Sequence, residues 1–367
     1  MGRSNTESHL AQENASLEIS KKKGETAIQL LTKLNLLNRN LAPRAADNAL
    51  YIPLSRPLLP EEQEKLQSTL GKLVFSHEKF PSRTRSTTSL NEALAQTIPT
   101  EIASRVSKSF DVVGDIAIIE LSPATNRFEK EIAKALIKIQ KNVKAVYAKN
   151  GPISDNQRLR PLHHVIGHTR TATIHKELGC RFKIDISKAF FSPRLSTEHK
   201  RVAEQVQKGE CVVDMFAGVG PFSILIAKRL HDVQVHAIDA NREAAKLIGE
   251  NAKLNKVQDR ITIWNRDIRV VAKNDLSGTA TRVIMNHPSQ ARQFLAQASE
   301  VLKPEGGIVH YYTFADGPDS ESKAQKEFTD GIVDAGWEVT RIMETRKVRG
   351  VAPMKWQIAV DARIEPA

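Results

Sequence analysis

The stretch that most constrains the fold is residues 211–226, CVVDMFAGVGPFSILI, which joins a short apolar run, a glycine turn and the start of a helix. Its two adjacent valines predict a buried strand that ends at Asp214. Gly218 and Gly220 allow a sharp turn and a close approach of the backbone to a ligand, and the proline after them suits the first turn of a helix. Glycines at this spacing indicate a nucleotide-like ligand only weakly, because many tight turns share it.

The chain then continues the alternation of strand and helix. The predicted elements are strands at 233–238, 261–264 and 282–285 and a helix at 243–255. Asp239 ends the first of these strands about twenty residues after the glycines, where a carboxylate can accept hydrogen bonds from the ribose hydroxyls of an adenosine cofactor. Asn286 opens a polar tetrapeptide, NHPS, after the last of them. Open α/β sheets bind ligands at such carboxyl ends of strands.

The glycine turn distinguishes two classes of cofactor. The dinucleotide fingerprint G-x-G-x-x-G needs a third glycine where this chain has Ser223. Asp214, in the pattern DxFxGxG, instead offers a carboxylate near the turn, which suits a cofactor with a cationic amino-acid end. We therefore favour S-adenosylmethionine over a dinucleotide.

Three stretches, DMFAGVGPFSI, AIDAN and RVIMNHPSQARQFL, resemble the tRNA guanine-N1 methyltransferases of archaea and eukaryotes, which modify the guanosine just 3′ of the anticodon. GHTRTATIHKELG, DISKAFFSPRLSTEH, RDIR and GGIVHYYTF match that family in the same order, and DVVGDIAIIEL matches it earlier. The resemblance implies an α/β fold: a class I, Rossmann-like methyltransferase domain with a seven-stranded sheet, preceded by small α/β RNA-binding domains. The activity that it implies is S-adenosylmethionine-dependent methylation of N1 of guanosine 37 in tRNA.

The same resemblance implies roles for individual residues. Glu198 is expected to be the general base, Arg170 to stabilise guanine O6 and Asn286 to position the base. Asp239 is expected to hold the ribose and Asp267 to face the adenine amino group. The full set of cofactor-binding residues that it implies is Phe190, Arg194, Asp214, Phe216, Gly218, Gly220, Asp239, Asp267 and Asn286. Without the resemblance, Glu198 reads as a helix-surface carboxylate paired with a neighbouring Lys or Arg.

Two positions depart from the family pattern. The family commonly has Leu after the Asn of its N-x-P motif and Tyr before a late Ala-Pro, where this chain has His287 and Val351. His287 affects the expected packing of the base, whereas Val351 changes only a packing contact. NHPS also lacks the aromatic fourth residue that amino-group methylases use to stack a flipped base, which argues against methylation of exocyclic amines of DNA.

Positive charge is concentrated in one part of the chain. Residues 130–201 contain 16 Lys and Arg against 5 Asp and Glu, most of the excess in a chain of net charge +12. Such a segment fits a polyanion such as nucleic acid. The resemblance implies that this partner is tRNA, bound by its anticodon loop and body. The row Lys130, Lys134, Lys138 and Lys141 follows one face of a predicted helix, where it either contacts phosphates or is solvated.

The remaining composition argues for an ordinary soluble enzyme. Cys180 and Cys211 form neither a disulfide framework nor a zinc pattern, and His163, His164 and His168 lack nearby ligands at metal spacing, so we expect no metal. The polar N-terminus does not fit a signal peptide, and no apolar run is long enough to span a membrane. We expect a cytoplasmic monomer with no membrane partner.

The chain divides, by pattern, into four parts. We predict a disordered tail at 1–17, an N-terminal tRNA-binding module at 18–80, a middle α/β RNA-binding region at 81–189 that opens with a linker at 81–88, and the methyltransferase domain at 190–367.

Two other functions stay open. One is a wyosine-pathway tRNA enzyme, which either transfers the aminocarboxypropyl group of the same cofactor or also methylates a wyosine intermediate. The other is a catalytically silent RNA-binding protein. The retention of Glu198, Arg170 and the cofactor residues favours the guanine-N1 methyltransferase.

Overall fold

A computed structural model describes residues 12–46, 48–81, 89–95, 97–107, 109–151, 159 and 161–367. The chain divides into two compact units, Met1–Thr88 and Ser89–Ala367. The predicted linker at 81–88 lies, apart from Pro81, outside the described residues, as does the predicted tail up to residue 11. No helix in the described ranges is both long and apolar enough to cross a membrane.

The first unit is an antiparallel sheet packed against two helices. Its elements are β1 (Gln12–Ser20), α1 (Gly24–Lys33), β2 (Arg44–Ala46), β3 (Ala49–Pro53), α2 (Pro60–Leu70) and β4 (Val74–Phe80). The strand order is β2-β3-β1-β4, which makes β1 a central strand. Leu31 of α1 and Leu66 of α2 are fully buried against Leu17 and Ile52 of the sheet.

The prediction of a disordered tail is therefore wrong for residues 12–17. Only Leu17 and Ile19 mark β1 as apolar, and both are buried. The rest of the strand is polar, and its order comes from partners distant in sequence, such as the hydroxyl pair of Ser16 and Ser76 at 2.8 Å. A strand whose order depends on such distant partners is difficult to predict from its own sequence.

The second unit begins with a small α/β region. Its elements are α3 (Leu90–Leu94), α4 (Thr100–Ala103), β5 (Asp111–Val113), β6 (Ile116–Ile119), α5 (Glu129–Ile139), β7 (Ala145–Lys149) and β8 (Leu162–Gly167), with the strands in the order β5-β6-β7-β8. The predicted hairpin around Gly114 is present as β5 and β6. Ile132 and Leu136 of α5 are buried against this sheet, while Lys130, Lys134 and Lys138 are exposed. Lys141, the fourth lysine of the predicted row, is also exposed but lies beyond the end of α5.

A seven-stranded sheet forms the larger part of the unit. The elements that follow β8 are β9 (Ala172–Glu177), β10 (Cys180–Asp185), α6 (Ser196–Gln205), β11 (Cys211–Asp214), α7 (Pro221–Arg229), β12 (Gln234–Ile238), α8 (Arg242–Asn255), β13 (Ile261–Trp264), α9 (Ile268–Asn274), β14 (Arg282–Met285), α10 (Leu295–Val301), β15 (Gly307–Asp316), α11 (Ser320–Asp334), β16 (Trp337–Ala352) and β17 (Lys355–Pro366). The order β13-β12-β11-β14-β15-β17-β16, with only β17 antiparallel to its neighbours, confirms the predicted class I plan.

Both faces of this sheet are covered, which explains why Val212 and Val213 form a continuous apolar run. Val212 and Val213 are fully buried, and they belong to separate apolar clusters on the two faces. Adjacent side chains of a strand point to opposite faces of the sheet. A strand covered on both faces therefore has a continuously apolar sequence rather than one that alternates between apolar and polar residues. The strand order reverses between β11 and β14, and this is where such sheets bind ligands.

The predicted domain boundary between residues 189 and 190 does not coincide with a division of the core. Phe182 and Ile184 of the β9–β10 hairpin are buried in the same cluster as the helices of the large sheet. The backbone of this hairpin is also held by α8, because Asn251 accepts a hydrogen bond from Lys183 N at 2.6 Å and Asn255 accepts one from Arg181 N at 2.9 Å. These contacts join the hairpin to the core of the seven-stranded sheet.

Candidate active site

A cavity lies where four neighbouring parallel strands end. Gly218 follows β11, Asp239 follows β12, Asp267 lies beyond β13 and Asn286 follows β14, and all four line this cavity. The carboxyl ends of parallel strands meet at one edge of the sheet, so residues widely spaced in sequence converge there. Phe190 and Phe216 also line it, so the structure brings six of the predicted site residues together.

Asp239 is the most buried carboxylate of the cavity wall. Its Oδ2 accepts a hydrogen bond from Gly218 N at 2.8 Å, and its Oδ1 accepts one from Asn241 N at 2.9 Å. Burial raises the pKa of Asp239 to about 6, against the two backbone hydrogen bonds, which favour the charged form. Each oxygen can accept a further hydrogen bond, so a ligand diol fits this carboxylate.

Asp267 lies at the start of α9 and is more exposed. Its Oδ1 accepts a hydrogen bond from Arg269 N at 2.9 Å, which caps the helix. The Arg269 side chain pairs with both carboxylate oxygens, and this hydrogen bonding lowers the pKa of Asp267. Asp267 therefore presents a charged acceptor beside the cavity.

Aromatic rings form the apolar part of the wall. The rings of Phe216 and Phe294 meet edge to face with centroids 5.1 Å apart, and the ring of His287 meets Phe216 at 5.0 Å. His287, the departure from the family pattern, is buried and packs as an aromatic ring. An apolar wall opposite two carboxylates suits an adenosine group, whose base is flat and whose ribose is polar.

The glycine turn adopts the conformation that the sequence predicts. Gly218 and Gly220 have φ of 59° and 84°, in the left-handed region that favours glycine. A Cβ on Gly218 would lie 3.2 Å from the Phe190 carbonyl oxygen, which keeps this position small. Gly220 is the N-cap of α7 and is not among the residues that line the cavity.

Asp214 lies beneath the turn, away from the cavity lining. It is fully buried; Ser223 donates a hydrogen bond to its Oδ2 at 2.7 Å, and its Oδ1 has no partner among the described residues. Burial raises the pKa of Asp214 to about 7, and the nearby charge of Asp239 acts in the same direction. Its direct contact with a cofactor therefore stays a prediction.

Glu198 is buried in α6 and is held by several donors. Arg201 Nε and the Tyr312 hydroxyl donate to its Oε2 at 3.0 and 3.1 Å, and Arg346 pairs with its Oε1 at 3.1 Å. These partners present donors or positive charge to both oxygens of the Glu198 side chain. The alternative prediction for Glu198, a helix-surface carboxylate paired with a neighbouring Lys or Arg, is right about the pairing with Arg201 but wrong about the surface position, because the Glu198 side chain is only 2% exposed. It does not line the cavity described above.

The Glu198 cluster continues into the sheet. Arg201 also donates to both oxygens of Asp361, and His310 Nδ1 contacts Asp361 Oδ1 at 2.8 Å. Burial opposes ionisation of Asp361, but the attraction of His310 and the hydrogen bonds from His310 and Arg201 hold its pKa below the usual range. Glu198 is thus fixed by groups from α6, β15, β16 and β17, which limits its freedom to change rotamer.

Arg170 and Arg194 lie at other sites in this structure. Arg170 pairs with Asp115 and donates to the Ala172 carbonyl at 2.5 Å, on the wall of a second cavity of about 720 Å³. Arg194 Nε pairs with Asp111 at 2.5 Å. The structure therefore does not bring Arg170, Glu198 and Asn286 around one cavity.

The histidine-rich segment is used in ordinary hydrogen bonds. His163 Nε2 contacts Glu129 at 2.8 Å, and His164 Nε2 contacts the Gly167 carbonyl at 3.1 Å. Within the described part of the chain, no group of three or more His, Cys, Asp and Glu side chains is arranged to hold a metal ion.

Several cavity residues were not predicted from the sequence. They are Met215, Ala240, Asn241, Arg266, Ile268, Arg269, His287, Gln290 and Phe294. Most of them are sequence neighbours of a predicted residue. Their positions next to the strand ends could therefore have been used to predict them. Phe294 lies in a short 3-10 turn before α10, and no local pattern marks it.

Comparison with known families places most of the chain. The TRM5/TYW2 methyltransferase domain matches residues 173–336, the TYW2 N-terminal domain matches 90–171 and the tRNA methyltransferase 5 N-terminal domain matches 17–60. The domain match begins at residue 173, in agreement with the packing of the β9–β10 hairpin into the core.

Individual relatives carry related activities. The chain is 36% identical to tRNA (guanine(37)-N(1))-methyltransferase Trm5b of Pyrococcus abyssi, over 95% of this chain and 98% of that protein. It is 29% identical to the tRNA(Phe) (4-demethylwyosine(37)-C(7)) aminocarboxypropyltransferase of Pyrococcus horikoshii, over 75% and 96%. A solved complex of aTrm5 with tRNALeu is 33% identical and superposes with a TM-score of 0.65, over 95% of this chain and 99% of that one.

Proposed function

The chain belongs to the TRM5/TYW2 methyltransferase family, and we propose that it transfers the methyl group of S-adenosylmethionine to N1 of guanosine 37 in tRNA. The observation that carries the proposal is the cavity in which Gly218, Asp239, Asp267 and Asn286 meet at four strand ends. The match of the tRNA methyltransferase 5 N-terminal domain to residues 17–60 supports the same activity.

The cavity fits S-adenosylmethionine by its chemistry. Asp239 offers two carboxylate oxygens to the ribose hydroxyls, and Asp267 offers an acceptor to the adenine amino group. Phe216 supplies an apolar wall for the flat base. When bound there, the cofactor supplies an electrophilic methyl group on a sulfonium.

Guanine N1 needs a base because it carries a proton at neutral pH. In the proposed step the N1–methyl bond forms as the sulfur–methyl bond breaks, and the N1 proton passes to Glu198. Glu198 offers an acceptor-only carboxylate that donors from Arg201 and Tyr312 and the charge of Arg346 hold in place. Because it does not line the cavity in the free protein, this role requires tRNA binding to bring the guanine and the carboxylate together. Alignment of the acceptor nitrogen with the methyl group lowers the barrier of such a displacement.

Loss of the N1 proton puts negative charge on guanine O6, and we assign Arg170 to that charge. Arg170 is bound to Asp115 in the free protein and its side chain is 45% exposed. Binding of tRNA must therefore exchange the Asp115 contact for the guanine. Such contacts often form only in the substrate complex, so the present separation of Arg170 from the cavity is compatible with this role.

Replacement of Glu198 tests the base. Glu198→Gln keeps the size of the side chain but cannot accept the proton, and we expect single-turnover methylation of tRNA to slow by about 10²- to 10⁴-fold. Glu344→Gln is the matched control, because Glu344 contacts the same two arginines, Arg201 and Arg346, but is more exposed. It should leave the rate within a few-fold of wild type.

The comparison of the two variants separates catalysis from charge balance. Equal losses in both variants would mean that Glu198 only balances the arginines. If Glu198→Gln methylates tRNA at the wild-type rate, with chemistry limiting, then Glu198 is not the base. The proposal that the protein transfers a methyl group to tRNA would still stand.

The second candidate is transfer of the aminocarboxypropyl group, which the TYW2 N-terminal match to residues 90–171 favours. Two forms of the cofactor distinguish these reactions. Label in the methyl group reaches tRNA only in methyl transfer, and label in the carboxyl carbon reaches it only in aminocarboxypropyl transfer. We expect only the methyl label to be incorporated. A tRNA that carries a wyosine intermediate, assayed in parallel, tests the additional methylation of that intermediate.

We also propose tRNA as the partner, a monomer as the working form and the cytoplasm as the location. Residues 130–201 carry 16 basic against 5 acidic side chains, and Lys130, Lys134 and Lys138 of α5 are exposed. These charges suit the phosphates of the tRNA body. A single chain supplies every catalytic residue assigned here.

A further inference from the structure

A chain of hydrogen bonds leads from the cavity into the terminal hairpin. Asn286 lines the cavity, and its Oδ1 accepts a hydrogen bond from Gln357 Nε2 at 3.4 Å. Gln357 Oε1 in turn accepts one from Arg349 Nε at 2.9 Å. Arg349 and Gln357 face each other across β16 and β17, and the guanidinium also donates to Ser192 Oγ at 3.2 Å. Gln357 is 1% exposed.

These contacts fix the direction of two side-chain amides. An arginine can only donate, so it requires the oxygen of Gln357 on its side. The nitrogen of Gln357 then points to Asn286 and requires the oxygen of Asn286 in return. The Asn286 amide is thereby turned with its Oδ1 into the protein, which leaves its Nδ2, a donor, for a ligand in the cavity.

We propose that Gln357 is a positioning residue that, held by Arg349, makes Asn286 a hydrogen-bond donor toward the bound guanine. The inference rests on the proposed function and deepens it, because it specifies what Asn286 recognises: an acceptor atom of the guanine ring. A ring that loses its N1 proton gains negative charge on such acceptors, so a donor fixed in advance stabilises the transition state more than the ground state. An Asn286 free to rotate would present its oxygen part of the time and lose this effect.

The substitution Gln357→Glu reverses the arrangement with little change in size. One carboxylate oxygen still accepts from Arg349, and the other faces Asn286 as an acceptor. Asn286 must then turn its Nδ2 toward residue 357 and present its oxygen to the ligand. The Asn286 oxygen then faces an acceptor atom of the guanine and repels it, where the Asn286 Nδ2 would have donated a hydrogen bond. We therefore expect the single-turnover rate at saturating S-adenosylmethionine to fall by roughly ten- to a hundredfold.

The experiment combines this variant with Asn286→Ala. Single-turnover methylation of a guanosine 37 tRNA is measured for wild type, both single variants and the double variant. If Gln357 acts through Asn286, the Gln357→Glu substitution should have almost no effect in the Asn286→Ala background. Gln325→Glu is the matched control, because Gln325 donates to Thr345 at 2.7 Å and does not line the cavity. It should retain the wild-type rate.

Either of two results overturns the inference: a Gln357→Glu enzyme at the wild-type rate, or a loss that persists in full without the Asn286 side chain. Arg349→Lys provides a second test should the carboxylate unfold the hairpin, since it loosens Gln357 without a buried acid. Arg349→Lys should slow the reaction less than Gln357→Glu does, and only in enzymes that retain the Asn286 side chain. A wild-type enzyme that leaves tRNA unmethylated would instead refute the proposed function.

Discussion

Asp239 allows a quantitative test of the cofactor site. Its two oxygens are held separately by Gly218 N and Asn241 N, and burial raises its pKa to about 6. The substitution Asp239→Asn preserves the size of the side chain but leaves a single acceptor oxygen. One ribose hydroxyl and one backbone N–H then lack an acceptor when the cofactor binds.

The size of the effect follows from these contacts. A buried polar group without its partner costs about 1–3 kcal/mol, which corresponds to roughly 5- to 150-fold in the dissociation constant of S-adenosylmethionine. The ribose hydroxyls donate to the carboxylate, so binding favours its charged form. The affinity of wild type should therefore be constant above pH 6 and fall by up to about tenfold per pH unit below it. Asp239→Asn should lack this dependence.

The same pKa predicts that the variant stays folded. A carboxyl group whose pKa is raised from 3.8 to about 6 lowers the free energy of unfolding by about 3 kcal/mol above pH 6, and this cost disappears as the pH falls toward 3.8. The asparagine side chain cannot ionise, so the variant does not have this cost. The gain offsets the loss of one hydrogen bond from a backbone N–H.

Calorimetric titration with S-adenosylmethionine on either side of pH 6 measures both effects. The control is Asp232→Asn, an exposed residue just before the opposite end of β12. Its affinity should equal that of wild type at each pH. An Asp239→Asn protein with wild-type affinity, or with an unchanged pH dependence, would refute the assignment of Asp239 to the ribose.

Two further predictions concern other parts of the second unit. Replacement of Lys134, Lys138 and Lys141 by Gln should flatten the dependence of log affinity for tRNA on log salt, by about 0.7–0.9 for each phosphate contact that is lost; an unchanged slope in binding assays would show that this row is merely solvated. Asp214→Asn should gain in free energy of unfolding relative to wild type by about 1.4 kcal/mol per pH unit between 3.8 and about 7, since the raised pKa of Asp214 makes its ionisation costly in the folded state. Denaturant unfolding across this range measures the difference, and parallel curves for the two proteins would contradict it.

The cofactor side of the site was largely predictable from the sequence. Asp239 and Asn286 each follow directly on an apolar strand, and parallel strands bring their carboxyl ends together whatever their separation in sequence. The left-handed turn at Gly218 was predictable for the same local reason. Each of these features is encoded by a short segment of sequence, so it can be predicted without knowledge of the tertiary contacts.

The remainder depends on contacts between distant segments. Glu198 reads as a surface residue because its partners Tyr312 and Arg346 lie more than a hundred residues later. Gln357 reaches Asn286, and Arg349 reaches Gln357, only because the last two strands form a hairpin beside β15. Asp214 was assigned to the cofactor by its place next to the turn, and only the packing shows it buried below the cavity lining. Local pattern does not encode these pairings.

The central claim is that a guanine at position 37 receives the methyl group at N1. The most direct measurement is a single-turnover reaction with methyl-labelled S-adenosylmethionine on two transcripts of one tRNA, with guanosine or adenosine at position 37, followed by mass mapping of the labelled nucleoside. We expect label in the guanosine 37 transcript alone, as 1-methylguanosine. Equal labelling of both transcripts, or label on another atom or nucleotide, would contradict it.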